Sequence, residues 1–145
     1  MRSTDLTVRR ATGADLDTVL ALDRLTPVGH ERTALLTSRV HSGDVLIAER
    51  SGRASAYVVV RPRSFFGRDF IELMAVSPRD RRQGIGTRLL RDVVREASPA
   101  RVFTSTNESN VAMTRLLEKE GWVRSGRLVG IDEGDPELVY YTDSD

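Results

Sequence analysis

The chain has 145 residues, of which 39% are hydrophobic and 30% charged, and its formal net charge is +1 at pH 7. These values predict one globular domain spanning residues 1–145, and the small net charge gives no support for nucleic-acid binding. Cysteine is absent, which excludes disulfides, thiolate catalysis and cysteine-ligated metals. His30 and His41 are the only histidines, too few for a typical histidine metal centre, so we expect no metal.

No membrane segment or signal peptide is predicted. The N-terminal sequence is polar, and no apolar run approaches the ~20 residues that a membrane-spanning helix needs. We therefore expect a cytoplasmic protein without a membrane partner.

The first half of the chain alternates strand-like and helix-like segments. Thr12 to Asp15 form a capping-box pattern that begins a helix, and Pro27 and Gly29 are expected to end it. Residues 50–53 are typical of a hairpin turn between two strands. The predicted elements are strand 6–10, a helix from Thr12, helix 31–41, and strands 45–49 and 54–62.

A nearly continuous apolar strand follows at residues 70–76, with a single carboxylate, Glu72, inside it. Ser77-Pro78 ends this strand because proline cannot donate to a strand ladder and restricts the residue before it. Residues 85–97 then carry apolar side chains at the 3.6-residue period of a helix with one buried face.

The turn between that strand and that helix predicts an anion site. Arg81 and Arg82 lie beside Gly84 and Gly86, at the point where the helix begins. Free N–H groups at a helix N-terminus, glycines that allow close approach, and guanidinium groups together favour a phosphate. The spacing matches neither a P-loop nor the dinucleotide fingerprint, whose third glycine would fall on Leu89.

The last third of the chain predicts three more strands and one more helix. Ser109 or Asn107 is expected to cap that helix, and Gly121 to end it. The predicted strands are 101–105, 122–130 and 137–141. The complete predicted order is β-α-α-β-β-β-α-β-α-β-β.

Two motifs in this order resemble those of the GCN5-related N-acetyltransferases, the GNAT family. The first is Arg81-Arg82-Gln83-Gly84-Ile85-Gly86, preceded by Ala-Val-Ser-Pro at 75–78, and the second is Glu118-Lys119-Glu120-Gly121-Trp122. The resemblance spans nearly the whole chain and implies an α/β (α+β) acyl-CoA N-acyltransferase fold. That fold has a mixed, mostly antiparallel sheet of six to seven strands, splayed after the central strand, with about four helices. Acetyl-CoA is the co-substrate that the resemblance implies.

The resemblance also implies which residues bind the cofactor. The backbone N–H groups of the turn would hold the CoA pyrophosphate, and backbone groups of the preceding strand would hold the pantetheine and polarise the thioester carbonyl. Asn110 is a partner for the pantetheine arm, or a helix N-terminal residue that satisfies its own backbone; the two roles are compatible. The implied residues are Met74, Ala75, Val76, Arg81, Arg82, Gln83, Gly84, Ile85, Gly86, Thr87, Asn110 and Met113.

Leu117 occupies the position where many family members carry the tyrosine that protonates the departing thiolate. Leucine cannot donate a proton, so water or another hydroxyl takes that role, or the thiolate leaves unassisted. Unassisted departure is tolerable because a thiol with a pKa near ~8.5 is a modest leaving group.

Glu72 is the candidate general base. An amine bound as an ammonium ion must lose a proton before it can attack the thioester. The resemblance supports this role, because several family members use a glutamate on this strand. The alternative is that Glu72 pairs with an arginine at the sheet surface and has no catalytic part.

An acidic turn in the last hairpin suits a cationic acceptor, since in this fold that hairpin often borders the acceptor site. An acidic surface turn without a role is an equal alternative. Ser105, Thr106 and Asn107 either orient the acceptor or simply end a strand, and the sequence does not say which tyrosine comes near the site. The acidic residues are Asp132, Glu133, Asp135 and Glu137, and the tyrosines are Tyr57, Tyr140 and Tyr141.

The sequence therefore favours an acetyl-CoA-dependent N-acetyltransferase that acts on a primary amine by direct transfer in a ternary complex. Without cysteine, no acetyl-cysteine intermediate forms. The alternative is a catalytically weak acyl-CoA-binding module, which Leu117 supports. Transfer to a hydroxyl, or of a longer acyl chain, is a third hypothesis, and many relatives pair as homodimers.

Overall fold

A computed structural model describes residues 5–25 and 32–143 of the chain. The chain divides into two compact units, residues 1–60 with 73–89 and residues 61–72 with 90–145. Among the described residues, no helix has the length and apolar character needed to cross a membrane.

The described residues form seven strands and four α-helices, in the predicted order. They are β1 (Leu6–Arg10), α1 (Leu16–Arg24), α2 (Thr33–Ser42), β2 (Val45–Arg50), β3 (Arg53–Phe65), β4 (Arg68–Val76), α3 (Ile85–Ala97), β5 (Val102–Asn107), α4 (Val111–Lys119), β6 (Val123–Leu128) and β7 (Glu137–Tyr141). The strand order in the sheet is β1-β2-β3-β4-β5-β7-β6. This architecture confirms the predicted fold class.

Most element boundaries lie within a few residues of their predicted positions. The capping box between Thr12 and Asp15 is present, and a 3₁₀ turn precedes α1. The predicted helix breakers Pro27 and Gly29, and the first residues of predicted helix 31–41, lie outside the described residues. Where the description resumes, α2 begins at Thr33.

β3 is longer than predicted, because it continues through Pro62 to Phe65 instead of ending at the proline. A proline removes only one donor from a ladder, and aromatic packing extends the strand past it. The Phe65 ring lies 5.0 Å from the Phe70 ring and 5.2 Å from the Phe103 ring, centroid to centroid.

In the first unit, α1 and α2 bury their apolar side chains against β2 and β3. Val19 and Leu36 are fully buried with Ile47 and Val59. Burial of such side chains contributes roughly 1.5–3 kcal/mol each, relative to leaving them exposed.

A polar cluster lies inside this core. The Tyr57 hydroxyl donates to Asp23 Oδ1 over 2.7 Å, and Arg32 Nη2 donates to the same oxygen over 2.5 Å. Tyr57 is fully buried and Asp23 is 6% exposed. Burial, and then the hydrogen bond to Asp23, raise the pKa of Tyr57 well above its usual value.

In the second unit, β4 and β5 pair in parallel only from Asp69–Val102 to Ile71–Thr104. The Thr104 hydroxyl donates to the Ile71 carbonyl over 2.9 Å at the last of these pairs. The ladder ends there although both strands continue, whereas β5 remains paired with β7 as far as Asn107. The parallel ladder between β4 and β5 is therefore three residue pairs long.

Candidate functional site

The turn between β4 and α3 is the centre of the candidate site. It begins where the Ser77 N–H donates to the Ser55 carbonyl over 2.8 Å, and it continues through a 3₁₀ turn at Pro78–Asp80. α3 then begins at Ile85, and its first turn is closed by the Arg88 N–H donating to the Gly84 carbonyl over 3.0 Å. The predicted strand, turn and helix are therefore present.

The backbone of this turn is left-handed at two positions. Arg82 has φ +64° and Gly84 has φ +79°, and both residues are exposed. Glycine adopts this conformation without strain, whereas a residue with a Cβ does so at a cost. The side chains of Arg81 and Gln83 are exposed beside it. An exposed helix N-terminus flanked by guanidinium groups can bind an anion.

Replacing Gly84 by alanine is expected to lower the free energy of unfolding by about 1–2 kcal/mol. A Cβ at position 84 would meet no atom within 4 Å, so the cost comes from the backbone conformation and not from a clash. Gly13→Ala is the matched control, because its Cβ also meets nothing within 4 Å and its φ is not positive. Urea denaturation of both variants checks this; equal stabilities would contradict the role given to φ.

The predicted cofactor residues around the turn differ in their exposure to solvent. Gly86 and Thr87 are half-buried, whereas the Ile85 side chain is 1% exposed and belongs to the core. Ile85 therefore offers only its backbone to a ligand. On β4, Met74 and Val76 are half-buried and Ala75 is buried.

The supports beneath the turn were not predicted from the sequence. Arg53 donates from Nη2 to Asp80 Oδ1 over 3.1 Å and from Nη1 to Oδ2 over 3.2 Å. Arg50 donates to the Gln83 side-chain carbonyl. Asp80, a lone carboxylate between Arg79 and Arg81, was the signal that an ion pair lies here.

Asn110, and not the predicted Ser109 or Asn107, caps α4. Its side-chain oxygen accepts from the Met113 N–H over 3.2 Å. Asn107 is the last residue of β5, and Ser109 Oγ donates to Asp135 Oδ2 over 2.5 Å. The cap therefore moves to the next residue that can accept from the helix. Asn110 is exposed, and its amide nitrogen makes no hydrogen bond within the described part of the chain.

Glu72 lies on the same face of the sheet as Ser105. Phe70 and Phe103 are paired across β4 and β5, and Glu72 and Ser105 each follow two residues later, so alternation returns both to that face. Glu72 is half-buried. Ser105 Oγ donates to Glu137 Oε1 over 2.8 Å, which adds a second carboxylate.

The acidic turn before β7 is tied to the end of β5. Asn107 Nδ2 donates to Asp132 Oδ2 over 2.8 Å, and the backbone N–H of Ser109 donates to Asp135 Oδ1 over 3.1 Å. Asp132 and Glu133 are exposed, and Asp135 is half-buried. This arrangement presents negative charge next to Ser105 and Glu137.

Leu117, at the position of the missing acid, is fully buried. Among the described residues, no tyrosine hydroxyl is placed to supply that acid instead. The buried Tyr57 donates to Asp23, and its raised pKa makes it a weaker acid. Tyr140 is fully buried and donates to Glu118 over 3.0 Å. Tyr141 lies on the opposite face of β7 from Tyr140, as alternation predicts, with Arg101 stacked 4.7 Å from its ring centroid.

Comparison with protein families gives one match over most of the chain. Residues 16–122 match the model of the acetyltransferase (GNAT) family. No curated protein matches the sequence significantly.

Solved structures resemble the fold over nearly its full length. An acetyltransferase of the GNAT family from Bacillus cereus ATCC 10987 is 30% identical, with a TM-score of 0.87 over 97% of this chain and 98% of that one. The putative acetyltransferase yncA from Salmonella typhimurium, solved with acetyl-CoA, is 22% identical, with a TM-score of 0.74 over 97% and 95%. Diaminobutyrate acetyltransferase EctA from Paenibacillus lautus, solved with L-2,4-diaminobutyric acid and coenzyme A, is 21% identical, with a TM-score of 0.72 over 93% of each chain.

Proposed function

The chain belongs to the GNAT acetyltransferase family, and from that premise we propose that it transfers an acetyl group from acetyl-CoA to a primary amine. The transfer is direct, in a ternary complex, and residues 1–145 act as one catalytic domain. The proposal rests on the turn at Arg82 and Gly84. This turn is exposed and left-handed, and it directly precedes the N-terminus of the 13-residue helix α3.

Acetyl-CoA fits this turn by charge and by backbone geometry. The pyrophosphate takes the backbone N–H groups from Gly84 to Thr87, and Arg81 and Arg82 add positive charge. The pantetheine follows the backbone of Met74 to Val76, because the ladder between β4 and β5 ends before these residues and a ligand can pair with the edge of β4 there. Asn110 and Met113, at the start of α4, stay the partners of the pantetheine that the family resemblance predicts. The acetyl-CoA in the yncA structure supports this choice of ligand.

The reaction needs two protons removed from the ammonium group and one thiolate released. Glu72 takes the first proton from the ammonium group, and the amine then attacks the thioester carbonyl, so a C–N bond forms and a tetrahedral intermediate results. Backbone N–H groups of β4 stabilise the oxygen of the tetrahedral intermediate. When the intermediate collapses, the C–S bond breaks, and the second proton of the nitrogen passes through water to the departing CoA thiolate, which a thiol pKa of about 8.5 permits.

We propose a cationic acceptor, such as a diamine. Glu137, held by Ser105, and Asp132, held by Asn107, supply negative charge on the face that carries Glu72, and Glu133 is exposed in the same turn as Asp132. An acceptor with a second ammonium group gains attraction from these carboxylates while its first amine faces Glu72. EctA, which was solved with a diamino acid, supports the choice of class.

Thiol release from acetyl-CoA, measured against a panel of diamines, polyamines, aminoglycosides and peptide N-termini, tests the function. We expect turnover with at least one cationic amine and lower kcat/KM for neutral amines of the same size. Tight CoA binding without turnover on any amine would contradict the enzyme and favour an acyl-CoA-binding module.

The binding module is the second candidate, and the buried Leu117 is the observation that favours it. Cytoplasmic action, a homodimer and the absence of metal, nucleic-acid and membrane partners remain predictions.

A further inference from the structure

Two arginines of the β2–β3 hairpin contact the turn, and the reaction described above does not use them. Arg50 is the last residue of β2, and Arg53 is the first residue of β3. Arg50 is only 5% exposed, yet its guanidinium reaches Gln83, an exposed residue of the turn. Arg53 forms a two-pronged ion pair with Asp80, which is 3% exposed.

These contacts enclose the strained part of the turn. Asp80 and Gln83 lie on either side of Arg82, whose φ of +64° is unfavourable for a residue with a Cβ. Such a conformation persists where surrounding contacts over-determine it, and strain of this kind concentrates at ligand sites. The Ser77 N–H to Ser55 carbonyl hydrogen bond ties the start of the turn to the same hairpin.

Arg50 is poorly explained by stability alone. Its Nε is buried without a hydrogen-bond partner among the described residues, and an unsatisfied buried donor is destabilising. Exceptions of this kind are expected where a residue serves a functional site.

We propose that Arg50 and Arg53 are positioning residues for the cofactor turn. By holding Gln83 and Asp80, they keep the backbone N–H groups of the turn arranged for the pyrophosphate before it binds, so that binding carries less ordering cost. The inference rests on the proposed function for its ligand, and on the hairpin contacts for its mechanism.

Arg50→Met, Gln83→Met and the double variant test this proposal by kinetics. We expect each single change to raise KM for acetyl-CoA about 5- to 20-fold, with kcat within about twofold, because only binding is affected. The double variant should have the same KM for acetyl-CoA as either single variant, since both single changes remove the same contact between Arg50 and Gln83. The proposal would be overturned if the increases in KM from the two single changes added in the double variant, or if kcat fell while KM stayed unchanged. Gln83 is exposed, so its variant folds even where Arg50→Met does not.

Arg91→Met is the matched control, because it removes an arginine from α3 that pairs with Glu120 and does not contact the turn. We expect its KM to stay within about twofold of the wild type. Backbone amide spectra of the free protein separate this inference from the function: Arg50→Met should move the Arg82 and Gly84 signals without any ligand. If the wild type does not bind CoA, the proposed function fails. Independently of that result, unmoved Arg82 and Gly84 signals in Arg50→Met would overturn the positioning role.

Discussion

Glu72→Gln is expected to lower kcat about 100- to 1,000-fold, the usual contribution of a general base, while the Kd for CoA stays unchanged. Glutamine keeps the size of the side chain and its half-buried position on β4 but cannot accept the proton of the ammonium group. The rate of the variant should therefore follow the fraction of amine that is already uncharged, and rise with pH towards the amine's own pKa of about 10. Steady-state rates between pH 6 and 10, with CoA affinity from calorimetry, measure both effects.

Glu49→Gln is the control for this variant. Glu49 is also a half-buried glutamate on a strand, but its carboxylate pairs with Arg9 over 2.9 Å and has no part in the proposed reaction. Its kcat should remain within about twofold of the wild type. Equal rates for Glu72→Gln and the wild type at every pH would remove Glu72 from the mechanism.

Asp23→Ala is expected to lower the free energy of unfolding by about 3–5 kcal/mol, the largest stability effect among these variants. The change leaves the Tyr57 hydroxyl without its acceptor inside the core and leaves Arg32, whose side chain is 15% exposed, without its counter-ion. Tyr57→Phe removes only the hydroxyl and should cost about 1–1.5 kcal/mol. Urea denaturation, with the midpoint and slope fitted separately, measures both.

Asp17→Ala is the matched control on the same helix, because Asp17 is exposed in the first turn of α1. It should lose no more than about 0.5–1 kcal/mol, the value of a carboxylate near a helix N-terminus. A loss below about 1 kcal/mol for Asp23→Ala would mean that the buried cluster contributes little to stability.

The fold was predictable because its signals are local. The apolar period of 85–97 gave the bounds of α3, and alternation placed Tyr140 and Tyr141 on opposite faces of β7. Patterns of this kind depend on neighbours in the sequence, so they can be recognised without knowing the tertiary structure.

The supports of the site were not predictable, because they join residues that only the sheet brings together. Arg50 and Gln83 are 33 residues apart, and Tyr57 and Asp23 are 34 apart. Their pairing depends on strand register and helix packing, which composition and spacing do not specify. The prediction that Ser109 or Asn107 caps α4 was wrong for a different reason. Several residues near its start can cap a helix, and tertiary contacts to Asp135 decide which of them is free to do so.

A titration of the wild type with CoA, followed by backbone amide signals, tests directly whether the turn between β4 and α3 holds the cofactor. We predict saturable shifts concentrated at residues 82–87, with pantetheine, which lacks the pyrophosphate, moving them far less at equal concentration. Saturable shifts that leave residues 82–87 unmoved would contradict the account, because the turn would then not be the site that holds the cofactor.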